Sequence, residues 1–167
     1  LAHAAAQLRN YGQSERYHHP QLGMNSRLDE MQAALLTERH RWLAEFTEQR
    51  KRIGAAYRSA IDNPLVSMMD VPESPGSHVY HLFVVGSPHR DRLQAHLHAK
   101  GIQALIHYPV PVHHQQPCLG LRRDPLGLLH TERHAREGLS LPCHPQLSDA
   151  DLEQVVSVRI LGVEDYH

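Results

Sequence analysis

The longest helical pattern in the chain runs from Leu28 to Ala60, and it constrains the fold more than any other feature. It contains no proline, and Gly54 is its only glycine. Apolar residues recur along it at the three- and four-residue steps typical of an amphipathic helix. They are Leu28, Met31, Leu35, Leu36, Trp42, Leu43, Phe46, Ile53, Ala56 and Tyr57. One helix of this length would be roughly 45 Å long, so we expect it to kink or to run between two packing environments.

The other elements predicted from the sequence are short. We expect the end of a helix at residues 1–10, and we expect Ser26 to cap the long helix with Asp29 three residues later. A strand is expected at 78–85, a helix from Ser87 to Gly101, and a second strand at 102–108. An irregular loop at 109–127 is followed by a helix at 128–138 and a short strand at 139–142. The last expected element is a helix that includes Ile160 and is capped by Ser148 and Asp151. This order predicts an α/β fold class (an α+β small domain), in which helices pack on a small sheet.

The charge balance and the apolar pattern exclude two classes of partner. The chain has 17 basic and 18 acidic residues, a formal net charge of −1, which argues against nucleic-acid binding because that affinity depends on neutralising phosphates. No apolar run approaches the roughly 18–20 residues that span a bilayer, and the first residues do not resemble a signal peptide. With only two cysteines, a reducing cytoplasm is the expected location.

Histidine is frequent, with 16 residues, and two pairs are adjacent in sequence, His18-His19 and His113-His114. Adjacent residues do not share a face of a regular helix or strand, so neither pair is expected to form a chelating site. The chain has no HExxH motif and no CxxC spacing. We therefore expect no metal site. A histidine-rich metal-binding domain that uses His113 and His114 stays open as an alternative.

Two short polar segments are candidates for a binding site. His107 and Tyr108 stand where a predicted strand enters a proline-rich loop, and both side chains can hydrogen-bond a polar ligand at such a position. The alternative is a half-buried tyrosine with a capping histidine. Asn25 and Arg27 stand at the expected start of the long helix, where an amide and a guanidinium would suit a phosphate group. The alternative there is a plain helix cap with a surface arginine.

Several blocks of the sequence resemble, in the same order, the DegT–DnrJ–StrS family of sugar aminotransferases. They are LRNYG at 8–12, GMNSRLDEMQAA at 23–34, HVYHLFV at 78–84, Gly101-Ile102, the run from Ile106 through HYPVP to His113 and Gln115, and LSLP at 139–142 with His144-Pro145 and the final helix. The resemblance covers nearly the whole chain. It implies the C-terminal portion of such an enzyme, with the end of the large domain and the long connecting helix at 1–60 and a small α/β domain at 61–167.

The resemblance implies a homodimeric, pyridoxal-phosphate-dependent enzyme of the aspartate-aminotransferase-like fold (fold type I). Such enzymes transfer an amino group from an amino acid, usually glutamate, to a nucleotide-linked keto-sugar, for cell-surface polysaccharide or sugar biosynthesis. The resemblance also implies that Asn25 contacts the cofactor phosphate of the other subunit and that Arg27 faces the diphosphate of the nucleotide sugar. His107 and Tyr108 would line the sugar-nucleotide side of the pocket.

The resemblance further implies that the lysine which forms the Schiff base with the cofactor precedes the LRNYG block. Only two lysines are present, Lys51 and Lys100. Lys51 lies between two arginines on the long helix and Lys100 lies at a helix end, whereas a Schiff-base lysine needs a desolvated pocket. We therefore expect no catalytic residue here and no activity of this chain alone. The alternative is a non-catalytic interaction module that pairs with a full-length aminotransferase subunit.

Overall fold

The computed structural model describes residues 1–70, 74, 76–122 and 124–158. Ile160, which we expected in the final helix, lies outside the described residues. The chain forms two compact units, Leu1–Leu43 and Ala44–His167. No helix among the described residues is long and apolar enough to cross a membrane.

The first unit contains two helices, α1 at Ala2–Leu8 and α2 at Glu30–His40. The loop between them is fixed by backbone hydrogen bonds, because the Tyr11 amide donates to the Met24 carbonyl at 3.0 Å and the Met24 amide donates to the Leu8 carbonyl at 2.8 Å. Neither helix has a buried residue.

The long helical pattern is divided between α2 and a separate helix, α3, at Leu43–Ala60. At the break, the amides of Arg41 and Trp42 donate to the carbonyls of Glu38 and Arg39, three residues back, at 3.3 and 3.1 Å. A regular α-helix bonds four residues back. The expected kink is therefore a complete interruption, although neither proline nor glycine marks it in the sequence.

The second unit is built on a three-stranded antiparallel sheet with the strand order β1-β2-β3. The strands are β1 at Ser67–Met68, β2 at Phe83–Gly86 and β3 at Gly138–Leu141. In register, Ser67 pairs with Gly86, and Phe83 pairs with Leu141. The other elements are α4 at Arg90–Ala99, α5 at Leu129–Glu137, α6 at Asp149–Ser157, and 3₁₀ turns at Val112–His114 and Gln116–Cys118. A small sheet with helices is confirmed.

Two strand predictions were wrong in detail. The segment 102–108 pairs with the sheet only through an isolated bridge between Leu105 and Ser140, because the Ala104 carbonyl accepts the Gln94 side chain of α4 at 2.9 Å instead. The segment 78–85 becomes a strand only at Phe83. Before it, Tyr80 has a φ of +48°, a left-handed conformation that does not continue a strand.

The core of the second unit lies between the sheet and its helices. Tyr57 of α3 contacts the Phe83 ring of β2 edge-on, with the ring centroids 5.0 Å apart. The other buried apolar residues are Ile53, Val66, Val85, Leu93, Leu97, Ile102, Ala104, Leu139, Leu141, Leu147, Leu152 and Val155. Because this packing fixes β3, it also fixes the polar residue Ser140, which lies on that strand and is buried.

Candidate functional site

Asn25 and Arg27 lie together in an extended segment of the first unit. Asn25 forms an antiparallel bridge with Asn10, and the amide of Ser26 donates to the carbonyl of Arg9 at 2.8 Å. Both candidate side chains are exposed. The structure therefore brings the pair together, but it holds them in a strand-like bridge.

The expected helix start at these residues was wrong. The helix α2 begins at Glu30 with Asp29 as its N-cap, so Ser26 caps no helix. Asn25 and Arg27 thus lie before the helix terminus, because residues 24–26 pair with residues 8–11 instead of turning into the helix. Neither the plain-cap alternative nor the anion site formed by free helix amides describes this segment.

Two glycines allow the backbones of the LRNYG and GMNSR blocks to lie against each other. A Cβ on Gly12, whose φ is +71°, would lie 1.8 Å from the Gln21 carbonyl oxygen. A Cβ on Gly23 would lie 2.0 Å from the Gly12 nitrogen. No other residue fits at such separations. The position of Asn25 and Arg27 therefore depends on these two glycines.

The Arg27 guanidinium is oriented from two sides. Its Nε donates to Asn25 Oδ1 at 3.2 Å, and its Cζ lies 5.6 Å from the centroid of the Tyr11 ring. The bond to Oδ1 leaves the Asn25 amide nitrogen as a donor. An exposed guanidinium beside an amide donor is suited to an oxyanion such as phosphate, which accepts several hydrogen bonds in a fork geometry.

His107 and Tyr108 form a second pair, in the second unit. His107 Nδ1 lies 2.9 Å from the Oγ of Ser140, within hydrogen-bond distance. The two rings meet edge-on with their centroids 5.6 Å apart, and the peptide bond that joins the residues is cis. His107 is half-buried and Tyr108 is 74% exposed. The alternative of a half-buried tyrosine is therefore wrong.

The two lysines do not fit a covalent cofactor site. Lys51 Nζ lies 2.8 Å from Glu48 Oε1, one helical turn away on α3. Lys100 is exposed and forms the C-cap of α4. A Schiff-base lysine must lose its proton inside a desolvated pocket, and neither environment provides one. Among the residues that the structure describes, Asn25 and Arg27 are oxyanion-binding groups that suit the phosphate of pyridoxal phosphate.

A third cluster lies at the 3₁₀ turn Val112–His114, where His113 and His114 were kept open as metal ligands from the sequence but Glu132 was not expected. The rings of His113 and His114 lie with centroids 4.2 Å apart, and both approach the carboxylate of Glu132 on α5. The expectation that adjacent histidines point apart holds for regular helices and strands, and it was wrong in this turn. In the sequence, the sign of this cluster is that His113 and His114 are adjacent.

A family model described as the DegT/DnrJ/EryC1/StrS aminotransferase family matches residues 1–159. The chain belongs to this family. Similar curated proteins include a dTDP-3-amino-3,4,6-trideoxy-alpha-D-glucose transaminase of Streptomyces venezuelae, which is 40% identical over 157 residues. The match covers 93% of this chain and 41% of that transaminase. A dTDP-3-amino-3,6-dideoxy-alpha-D-galactopyranose transaminase of Aneurinibacillus thermoaerophilus is 37% identical over 156 residues, with 93% of this chain and 42% of the relative covered.

Solved structures of family members have the same fold over nearly all of this chain. The S. venezuelae DesV structure, in complex with a ketimine intermediate, matches with a TM-score of 0.85 and 39% identity over 95% of this chain and 43% of that one. A family aminotransferase from Brucella abortus matches with a TM-score of 0.85 and 32% identity over 93% of this chain and 41% of that one. The chain therefore spans somewhat less than half the length of the relatives it matches.

Proposed function

We propose that these residues form the C-terminal part of a pyridoxal-phosphate-dependent, fold type I aminotransferase. It transfers an amino group from glutamate to a nucleotide-linked keto-sugar for polysaccharide or sugar biosynthesis. The family match over residues 1–159 carries this proposal, together with relatives whose names describe transaminases of dTDP- and UDP-linked sugars. In the complete enzyme, residues 1–60 end the large domain and form the connecting helix, and residues 61–167 form the small domain.

In this proposal, the exposed pair Asn25 and Arg27 binds phosphate groups in a homodimer. Asn25 donates its amide to the phosphate of the cofactor held by the other subunit, and Arg27 donates to the diphosphate of the nucleotide sugar. The geometry supports phosphate binding by this pair, because the Arg27–Asn25 hydrogen bond leaves the amide nitrogen of Asn25 and the Nη groups of Arg27 as donors. When bound, the cofactor supplies the electron sink for the transfer.

His107 and Tyr108 are proposed to line the sugar-nucleotide side of the pocket. The Ser140 hydroxyl fixes the His107 ring at 2.9 Å, and Ser140 is itself buried on β3. The phenol of Tyr108 is exposed and is therefore available to hydrogen-bond a sugar hydroxyl. A hydrogen-bonded imidazole and an exposed phenol therefore lie side by side before the proline-rich loop.

The test is an assay of the complete protein that contains these residues, with glutamate and 3-oxo sugars linked to dTDP or UDP. We expect 2-oxoglutarate and an amino sugar to form. Arg27→Ala removes a charged hydrogen bond of about 1.5–3 kcal/mol, so it should raise the KM for the nucleotide sugar at least tenfold while the KM for glutamate stays unchanged. Borohydride treatment should attach the cofactor to a lysine other than Lys51 and Lys100.

Arg16→Ala is the matched control, since Arg16 also lies in the first unit with its Cζ 5.1 Å from the centroid of a tyrosine ring, that of Tyr17. It should leave both KM values unchanged. An enzyme that aminates none of these sugars contradicts the proposed function. An unchanged nucleotide-sugar KM in the Arg27 variant contradicts only the role of Arg27.

A second candidate function is the non-catalytic module that pairs with a full-length aminotransferase subunit. It is supported by the apolar surface of α2, on which Met31, Leu35 and Leu36 are all exposed, although a homodimer would use such a surface as well. In that case, the chain would contribute Asn25 and Arg27 to the partner's site. Association and catalysis distinguish the two candidates, because a module binds a full-length subunit but forms no product by itself.

A further inference from the structure

Three potential metal ligands converge where the 3₁₀ turn Val112–His114 meets α5. His113 and His114 come from the turn and Glu132 comes from the helix, and one ligand atom from each lies within 4.8 Å of the other two. Two neutral imidazoles and one carboxylate are a ligand set that zinc uses in proteins. The three groups therefore combine suitable chemistry with convergence from two separate elements.

Two of the three ligand-atom separations in the cluster are close to those around a tetrahedral zinc ion. Ligand atoms at zinc bond lengths of about 2.0–2.1 Å lie roughly 3.3–3.4 Å apart. Glu132 Oε1 lies 3.1 Å from His113 Nε2 and 3.7 Å from His114 Nε2, so the observed separations bracket this value. Zinc would replace the His113–Glu132 hydrogen bond and change these two separations by a few tenths of an ångström, while the ligand atoms of the two histidines lie within 4.8 Å of each other.

The cluster is also accessible on one side. The side chain of His113 is 12% exposed, whereas those of His114 and Glu132 are 48% and 40% exposed. A metal ion can therefore enter from solvent, and a water molecule can complete the fourth position. A carboxylate that already lies beside two imidazoles also lowers the cost of bringing a cation to them.

We propose that His113, His114 and Glu132 form a zinc site with water as the fourth ligand. The ion joins the loop at 109–127 to α5, across a separation of 19 residues between His113 and Glu132. A bound ion stabilises the folded arrangement that assembles its ligands. The proposal does not depend on the aminotransferase activity.

The test is a titration of the metal-free, untagged chain with Zn²⁺, followed by competition with a chromophoric chelator. We expect one high-affinity ion per chain and a higher Tm in the presence of zinc. Glu132→Gln keeps the shape of the side chain but removes its charge and should weaken binding by more than about tenfold. His114→Ala, at a more exposed position, should weaken binding to a similar extent.

The double variant His18→Ala/His19→Ala is the matched control, because it removes an adjacent histidine pair from the other unit. It should retain the affinity of the unaltered chain. Far-UV circular dichroism checks that each variant remains folded. Three results would overturn the proposal: no stoichiometric zinc on the unaltered chain, full affinity in both cluster variants, or an equal loss of affinity in the control.

Discussion

At the scale of single residues, Cys143 shows how burial controls reactivity in this molecule. Burial raises the pKa of its thiol to about 11, although the positive charge of Arg50 opposes the rise. The thiol also donates to the Tyr80 carbonyl at 3.6 Å, which further favours the protonated form. Because the thiolate is the nucleophile, the native fold should protect this cysteine from alkylation.

We expect iodoacetamide to label Cys143 about 100-fold more slowly in the folded chain than in denaturant at pH 8, since two pKa units change the thiolate fraction about 100-fold. Labelling is followed by mass spectrometry in a Cys118→Ser variant, and Cys143→Ser controls for other sites. The rate in the folded chain should keep rising as the pH approaches 11. Equal rates in the folded and unfolded chain at pH 8 would contradict the burial argument.

The residue types of the candidate site were readable from the sequence, but their arrangement was not. The segment containing Asn25 and Arg27 was expected at a helix start, because Ser26 and Asp29 are good capping residues. Asn25 instead forms a bridge with Asn10, which depends on the close approach of Gly12 and Gly23. Neither glycine belongs to a helical or strand pattern in the sequence. Such contacts arise from tertiary structure, which periodicity does not encode.

At the scale of elements, α6 begins with a complete capping box. Ser148 Oγ accepts from the Asp151 amide, and the Asp151 carboxylate accepts from the Ser148 amide. The start of this element was predicted correctly because the capping signal is local and spans only four residues. The hydrogen bonds from Ser148 also lower the pKa of the Asp151 carboxyl.

Ser148→Ala should lower the free energy of unfolding by about 1 kcal/mol. The loss should be visible in urea denaturation of the whole chain, because α6 contributes the buried residues Leu152 and Val155 to the core. Ser157→Ala, at the last residue of the same helix, should have a much smaller effect. The contribution of the Asp151 carboxylate to the free energy of unfolding should be present at neutral pH, and it should disappear as the pH falls through the lowered pKa of Asp151. A Ser157 variant as unstable as the Ser148 variant would contradict this role for the cap.

The elements that were not predicted depend on hydrogen bonds that the hydrophobic pattern does not show. The segment 102–108 has the composition of a strand, but side chains of α4 occupy its Ala104 carbonyl. The interruption at Arg41 and Trp42 carries neither proline nor glycine, so no local signal marks it. The capped start of α6 was therefore predictable from the sequence, whereas the start of α2, the strand pairing and the helix break were not.

At the scale of the whole molecule, the first unit leaves large apolar side chains exposed. Met31 and Leu35 lie four residues apart on α2, hence on one face, and they are 77% and 61% exposed. Contiguous apolar surface of this kind is typical of an interface. It supports the proposal that α2 contacts another aminotransferase subunit, either in a homodimer or in the module described above.

We therefore expect the chain to self-associate, and the double variant Met31→Ser/Leu35→Ser to associate at least tenfold more weakly. Each buried apolar side chain contributes about 1.5–3 kcal/mol, and about 1.4 kcal/mol corresponds to a tenfold change in Kd. Sedimentation equilibrium over a range of concentrations measures the effect. The control Leu22→Ser/Leu126→Ser removes two side chains that are even more exposed, at 97% and 88%, but that lie in separate loops. If the control weakened association as much as the α2 variant did, general surface hydrophobicity rather than the α2 face would drive association. A chain that is monomeric at every concentration would contradict the interface.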